Sequence, residues 1–283
     1  MNDTALTLLE TASVTMAVVA AAQVQHPLEE LTALRRDPGD RFQPAVATSW
    51  LKTQDEHSMS ALLAVSAAIR QHGLHETDFS EWGTVTANRF IGRRALLKSI
   101  ERFTQDGPWG ASLHVVPMHS PHSPAGGLSL SLGSHGPNLS SGSGLGANAE
   151  AFLIAASLMT QHDLPGLWLV LTEWEHDRDE SDSNDPSRSA VCCATALALC
   201  PADAINHCGC LTVHGATGES LADDASDFQS HDAALNDLLM AIVTPVADQL
   251  GVAAPLGGGL RLTYQPERAR IRFAQQPGRA PRG

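Results

Sequence analysis

Basic residues are scarce in this chain: 18 lysines and arginines stand against 31 aspartates and glutamates, for a net charge of -13 over 283 residues. That balance opposes a nucleic-acid backbone or an anionic bilayer, so neither is expected as a partner. Long hydrophobic runs are missing as well. The apolar run from Val14 to Ala22 is too short for a spanning helix, which needs about 20 residues, so no membrane span is expected. The opening residues carry no positive n-region of an export signal, which makes a cytoplasmic protein the expectation. Paired cysteine spacings are absent too. Cys192, Cys193, Cys200, Cys208 and Cys210 crowd into one segment, and without an export signal they predict small buried thiols rather than a disulfide framework. His207-Cys208-Gly209-Cys210 lacks the second spaced pair that structural zinc demands, so no metal site is expected.

What is present is apolar bulk. Hydrophobic residues make up 43% of the chain, enough for a sizeable core in a single domain over 1–283. The acidic, serine-rich stretch 176–189 is expected to be a mobile loop, and a flexible tail is expected from about 275. Residues 12–24 predict a first strand, 56–75 a helix with Leu62, Leu63, Ser66 and Ile69 at helical spacing, and Gly73 stands where a C′ glycine belongs. A short strand over 82–90 and an amphipathic helix carrying Leu96, Leu97 and Ile100 follow. A short helix over 124–132 and a strand over 138–143 come next. The nearly uncharged stretch 145–164 predicts a helix buried all round. Further strands are expected at 164–175, 190–200 and 209–216, then a helix over 231–251 ended near Pro245, and a closing strand pair about a Gln265-Pro266-Glu267 turn.

The chemistry of the chain centres on "GPNLSSGSGLGANAEAF", residues 136–152. Gly144, Gly146 and Ala149 satisfy the G-x-G-x-x-A fingerprint, whose helix N-terminus offers N–H groups to a pyrophosphate. An NAD(P)-dependent oxidoreductase is therefore one reading. Against it, the preceding strand is serine-rich rather than apolar, and the next strand ends at Glu173, nearly thirty residues beyond Gly144, where the ribose-binding acid belongs about twenty residues on. Ser143 is flanked by glycines but lies in no G-x-S-x-G elbow, so a serine hydrolase is not indicated.

The wider context favours another reading. Val116-Pro117-Met118, Ala125-Gly126, Leu132-Gly133 and His135-Gly136-Pro137-Asn138-Leu139, followed by the glycine turn and an uncharged helix, resemble the nucleophile segment of β-ketoacyl synthases over about residues 58–175. The resemblance implies an α/β, thiolase-like half-fold: a mixed sheet of five or more strands around a buried central helix. It also places the nucleophilic cysteine of the family on Leu145, which has neither lone pair nor acidic proton, so condensation is excluded there. "VHGATGESL" at 213–221 echoes a histidine loop of the family and would make His214 catalytic, but it follows Leu145 too closely and reads as strand.

A short chain without the cysteine resembles the chain-length-factor-like subunits of aryl polyene and xanthomonadin-type pathways. The resemblance implies a noncatalytic subunit without cofactor, in a heterodimer with a catalytic β-ketoacyl synthase that acts on acyl carrier protein thioesters in polyketide, polyene or fatty-acid-type biosynthesis. Met118, His119, Asn138, Ser140, Gly142, Ser143 and Leu145 are the residues it assigns to the acyl cavity or the partner interface. Arg268, Arg270 and Arg272 are open to two readings: contacts to an acidic carrier protein, or solubilisation of the last strand.

Overall fold

The computed structural model describes residues 13–89, 93–110, 120–142, 144, 146–174, 191–215, 228–244, 251–257 and 260–267. In chain order they form β1 (Val14–Pro27), α1 (Leu28–Leu34), α2 (Thr48–Leu51), α3 (Glu56–His72), β2 (Gly83–Arg89), α4 (Arg93–Asp106), α5 (Ser123–Leu132), β3 (Asn138–Ser141), α6 (Ala147–Gln161), β4 (Leu167–Trp174), β5 (Val191–Pro201), β6 (Gly209–His214), α7 (Phe228–Val243), β7 (Val252–Gly257) and β8 (Leu260–Pro266). The acidic stretch 176–189, the tail from 275 and the three arginines at 268, 270 and 272 lie outside the described residues.

The strands make one mixed sheet of eight in the order β3-β2-β4-β5-β1-β6-β8-β7. β2 runs parallel to both β3 and β4, and the remaining pairs are antiparallel. Because side chains alternate along a strand, β4 sends Leu167, Leu169 and Leu171 to one face and Trp168 and Val170 to the other. The first set packs with α6 and α7, the second with α3 and its neighbours. In β1 the alternation switches partway. Met16 and Val18 face the α6 layer while Ala20 and Ala22 face the α3 layer, because the register shifts between Val18 and Ala20. One extra residue reverses the faces. A single strand therefore serves both cores.

α3 is the helix buried all round. Every residue from His57 to Ile69 is buried, Asp55 caps it by accepting from the Ser58 N–H at 2.7 Å, and Gly73 ends it at φ 69°. α6 lies in the opposite core through Ala151, Phe152, Ala155 and Ala156, as its composition requires, but its Leu153 and Ile154 are only half-buried. On α4, Ile100 and Phe103 are each 52% exposed.

The C-terminal strand pair differs from expectation. Its partners are β7 and β8, whereas Gln265 and Pro266 continue β8 opposite Cys210 and Gly209. β7 was hidden by Pro255, which normally interrupts a strand. It is tolerated because β7 is the edge of the described sheet, where a missing N–H can face away from the ladder.

Candidate functional site

The glycine turn is held from both sides. Upstream, Gly133 ends α5 at φ 65°, the Ser134 hydroxyl donates to the Trp82 carbonyl, the His135 N–H donates to the Ser80 carbonyl at 2.7 Å, and the Thr84 N–H donates to the Pro137 carbonyl at 2.8 Å. The segment 134–137 is thus fixed against 80–84 before β3 begins. Asn138 then ties β3 to α5, donating from Nδ2 to Ser129 Oγ at 2.8 Å and to the Ala125 carbonyl at 3.3 Å. Four residues of β3 pair with β2, from Thr84 opposite Asn138 to Ala87 opposite Ser141. β2 is the only strand beside β3 in the described sheet. Since the Pro137 carbonyl points at β2, strand alternation turns the backbone groups of Asn138 and Ser140 toward the free edge.

Past β3 the chain reverses into α6. The Ser141 hydroxyl donates to the Ala147 carbonyl at 2.7 Å, and the Ala147 N–H donates to the Gly144 carbonyl at 3.3 Å. Gly146 stands at the helix entrance with φ 86°, a region that side chains with a Cβ occupy only under strain. Gly142 and Gly144 are exposed, while Asn148 is buried, with an Oδ1 that finds no protein partner among the described residues. Asn138, Ser140 and Gly142 therefore come together at one edge of the sheet. Met118, His119, Ser143 and Leu145 lie outside the described residues.

A buried polar relay that sequence reasoning missed sits at the C-terminal ends of β2 and β4. The Asn88 amide donates to the Pro121 carbonyl, so its Oδ1 is left to accept from Thr172 Oγ1 at 2.9 Å. With its only hydrogen committed there, Thr172 must accept from His57 Nδ1 at 2.8 Å. His57 therefore carries a proton on Nδ1. Asp55, the N-cap of the same helix, has its carboxyl pushed up by burial, with the nearby His57 and the Ser58 hydrogen bonds pulling it down. On the opposite face of the same strand ends, the buried Arg89 pairs with Glu173 at 3.5 Å. The available signal was modest: a polar pair, Asn88-Arg89 and Thr172-Glu173, closing each of two apolar strands.

His214 is far from the glycine turn. It ends β6, with Nε2 2.8 Å from Thr263 Oγ1. Four strands separate β6 from β3, about 24 Å at the usual strand spacing. All five cysteines are thiols; Cys192 and Cys200 are buried and the other three half-buried. Among the described residues no three His, Cys, Asp or Glu side chains gather as a metal site, and no helix is long and apolar enough to cross a membrane.

No family model matches the sequence, and no curated protein matches it. Solved structures do match. One is a chain of a type II polyketide synthase assembly, AntDE:AntF, in which an acyl carrier protein is in complex with its ketosynthase bound to the hexaketide: TM-score 0.59, 13% identity, covering 90% of this chain and 100% of that one. Another is from the ketosynthase ApeO in complex with its chain length factor ApeC from Xenorhabdus doucetiae, with TM-score 0.52, 13% identity and coverage of 89% and 99%. This chain has the ketosynthase and chain-length-factor fold. The ishigamide ketosynthase/chain length factor agrees at TM-score 0.52, with 14% identity over 81% of this chain and 73% of that one. At such identities it is the backbone architecture that is shared: the α/β, thiolase-like arrangement with a mixed sheet between helical layers.

A glycine turn after an edge strand is not where dinucleotide folds put their fingerprint. That fingerprint follows an interior strand, at the crevice where the strand order reverses. Here the strand before Gly144 and Gly146 has a neighbour on one side only among the described residues.

Proposed function

We propose that this chain is a noncatalytic, chain-length-factor-like subunit that pairs with an active β-ketoacyl synthase in biosynthesis on acyl carrier protein thioesters. One observation carries the reading: β3, the strand that leads into the glycine turn, is a short sheet edge whose Leu139 is 43% exposed, beside an α5 whose Leu130 is 75% exposed. An open row of backbone N–H and C=O groups flanked by apolar side chains calls for a partner strand. A synthase subunit of the same fold would supply one, continuing the sheet and burying Leu139.

In this reading the partner carries the nucleophile. Leu145 fills the nucleophile position with hydrocarbon, and this chain contributes shape: Met118, His119 and Leu145 stand along the wall of the acyl cavity, and Asn138, Ser140, Gly142 and Ser143 face the partner. The His57–Thr172–Asn88 relay fixes the Pro121 carbonyl, three residues beyond Met118 in the sequence. Polyene, polyketide and modified fatty-acid products all fit this role, with aryl polyenes the preferred class.

A condensation assay tests it. A cysteine-bearing synthase is given carrier-bound starter and extender thioesters alone, with this chain, and with its Leu145→Phe variant. Condensation that depends on this chain, with a product distribution altered by Leu145→Phe, is expected; condensation by this chain alone, or saturable NAD(P)H binding, contradicts the reading.

A further inference from the structure

The cysteine-rich segment has no part in the role above, yet one of its thiols is built into a second arrangement. His72 closes α3 and reaches two groups: its Nε2 lies 3.1 Å from the Ala21 carbonyl and its Nδ1 lies 3.5 Å from Cys208 Sγ. A carbonyl oxygen only accepts, so Nε2 carries the proton of the neutral ring and Nδ1 turns its lone pair on the thiol. An imidazole so aimed takes the thiol proton. Its place in the last turn of a 17-residue helix favours the imidazolium that results, because the helix dipole is negative there.

Cys208 is half-buried beneath the turn that carries the exposed Ile205 and Asn206, so a small reagent can approach it. The Cys208 thiol can also donate to the Val19 carbonyl at 3.6 Å, a neutral acceptor that competes with the His72 lone pair for its one proton; the Tyr264 hydroxyl donates to the Cys208 carbonyl at 3.2 Å and is kept protonated by burial; Glu267 donates its N–H to the same carbonyl while its carboxylate lies 3.9 Å from His207 Nδ1. The Glu267 charge opposes a thiolate, but His72 is in direct contact with the sulfur. Three other thiols are less reactive by environment: burial raises Cys192, raises Cys200 to about 11, and raises Cys210 with help from Glu267.

We propose that Cys208 and His72 form a nucleophilic thiol–imidazole pair, a modification site for low-molecular-weight disulfides. In the exchange the Cys208 proton moves to His72 Nδ1 and Sγ attacks one sulfur of the disulfide. The new S–S bond forms as the old one breaks, and the departing thiolate takes the proton from Nδ1. Cys208 ends as a mixed disulfide and one equivalent of small thiol is released; the small disulfide is the oxidant.

The test uses the full chain and oxidised glutathione. After a short exposure at pH 6.5, intact mass and peptide mapping are expected to place the first adduct on Cys208 in the unmutated protein, a result that depends on no variant folding. Cys208→Ser removes that adduct and Cys193→Ser leaves it. His72→Gln slows it by about threefold or more. That figure follows if the contact gives roughly tenfold more thiolate, offset about threefold by lost nucleophilicity. A first adduct on Cys193 or Cys210, or an unchanged rate in a folded His72→Gln protein, overturns the assignment.

Discussion

Replacing Thr172 by valine tests the buried relay with almost no change of shape. His57, Asn88 and Thr172 are 1%, 2% and 1% exposed, so water cannot replace the missing hydroxyl. The substitution deprives His57 Nδ1–H of its acceptor and Asn88 Oδ1 of its donor. Each such stranding costs about 1–3 kcal/mol. The added methyl returns about 0.8 kcal/mol through apolar burial, which leaves a net loss of about 1–5 kcal/mol. Thr172→Ser keeps the hydroxyl and gives up one methyl, a loss of about 1 kcal/mol. Urea unfolding followed by circular dichroism reads both variants directly. A Thr172→Val protein within about 1 kcal/mol of the parent, on the scale of a single net hydrogen bond, would refute the relay. So would a serine variant weaker than the valine one.

Three further outcomes follow from the same geometry. Asp55 has its carboxyl raised by burial, so the folded state holds that proton above the unfolded value of 3.8 and loses stability as pH rises through the window above it. Asp55→Asn keeps a capping oxygen, and its stability relative to the parent should improve from pH 4 to pH 7 in urea titrations; a decline over that range would mean that attraction to His57 outweighs burial. Gly146 at φ 86° predicts a cost of about 1–2 kcal/mol for Gly146→Ala, and less for Gly146→Asn, since asparagine tolerates the left-handed region better; equal thermal stability of all three would contradict it. Leu139→Lys should leave the stability of the isolated chain within about 0.5 kcal/mol, as exposed substitutions do, while weakening capture of a coexpressed synthase in affinity pull-down; undiminished capture would remove β3 from the interface.

Much of the framework was legible because it is written in local pattern. The apolar spacing and Gly73 mark α3 and its end, and the continuous apolar run "LWLVL" marks β4. The strand, glycine turn and helix over 138–161 were likewise readable in order. β7 was not, since Pro255 hides a strand unless its place at the edge is known. Nor was the relay, because His57 and Asn88 stand 115 and 84 residues from Thr172 and each reads alone as an ordinary polar residue. The His72–Cys208 contact spans 136 residues and was equally invisible. Only the pairing of strands brings such groups together, and pairing is a property of the whole sheet.

The central claim is association, and native mass spectrometry of the chain coexpressed with a cysteine-bearing β-ketoacyl synthase measures it most directly. The account predicts a one-to-one complex that persists through purification. A synthase recovered only as its own homodimer, with this chain separate and stable, would contradict it.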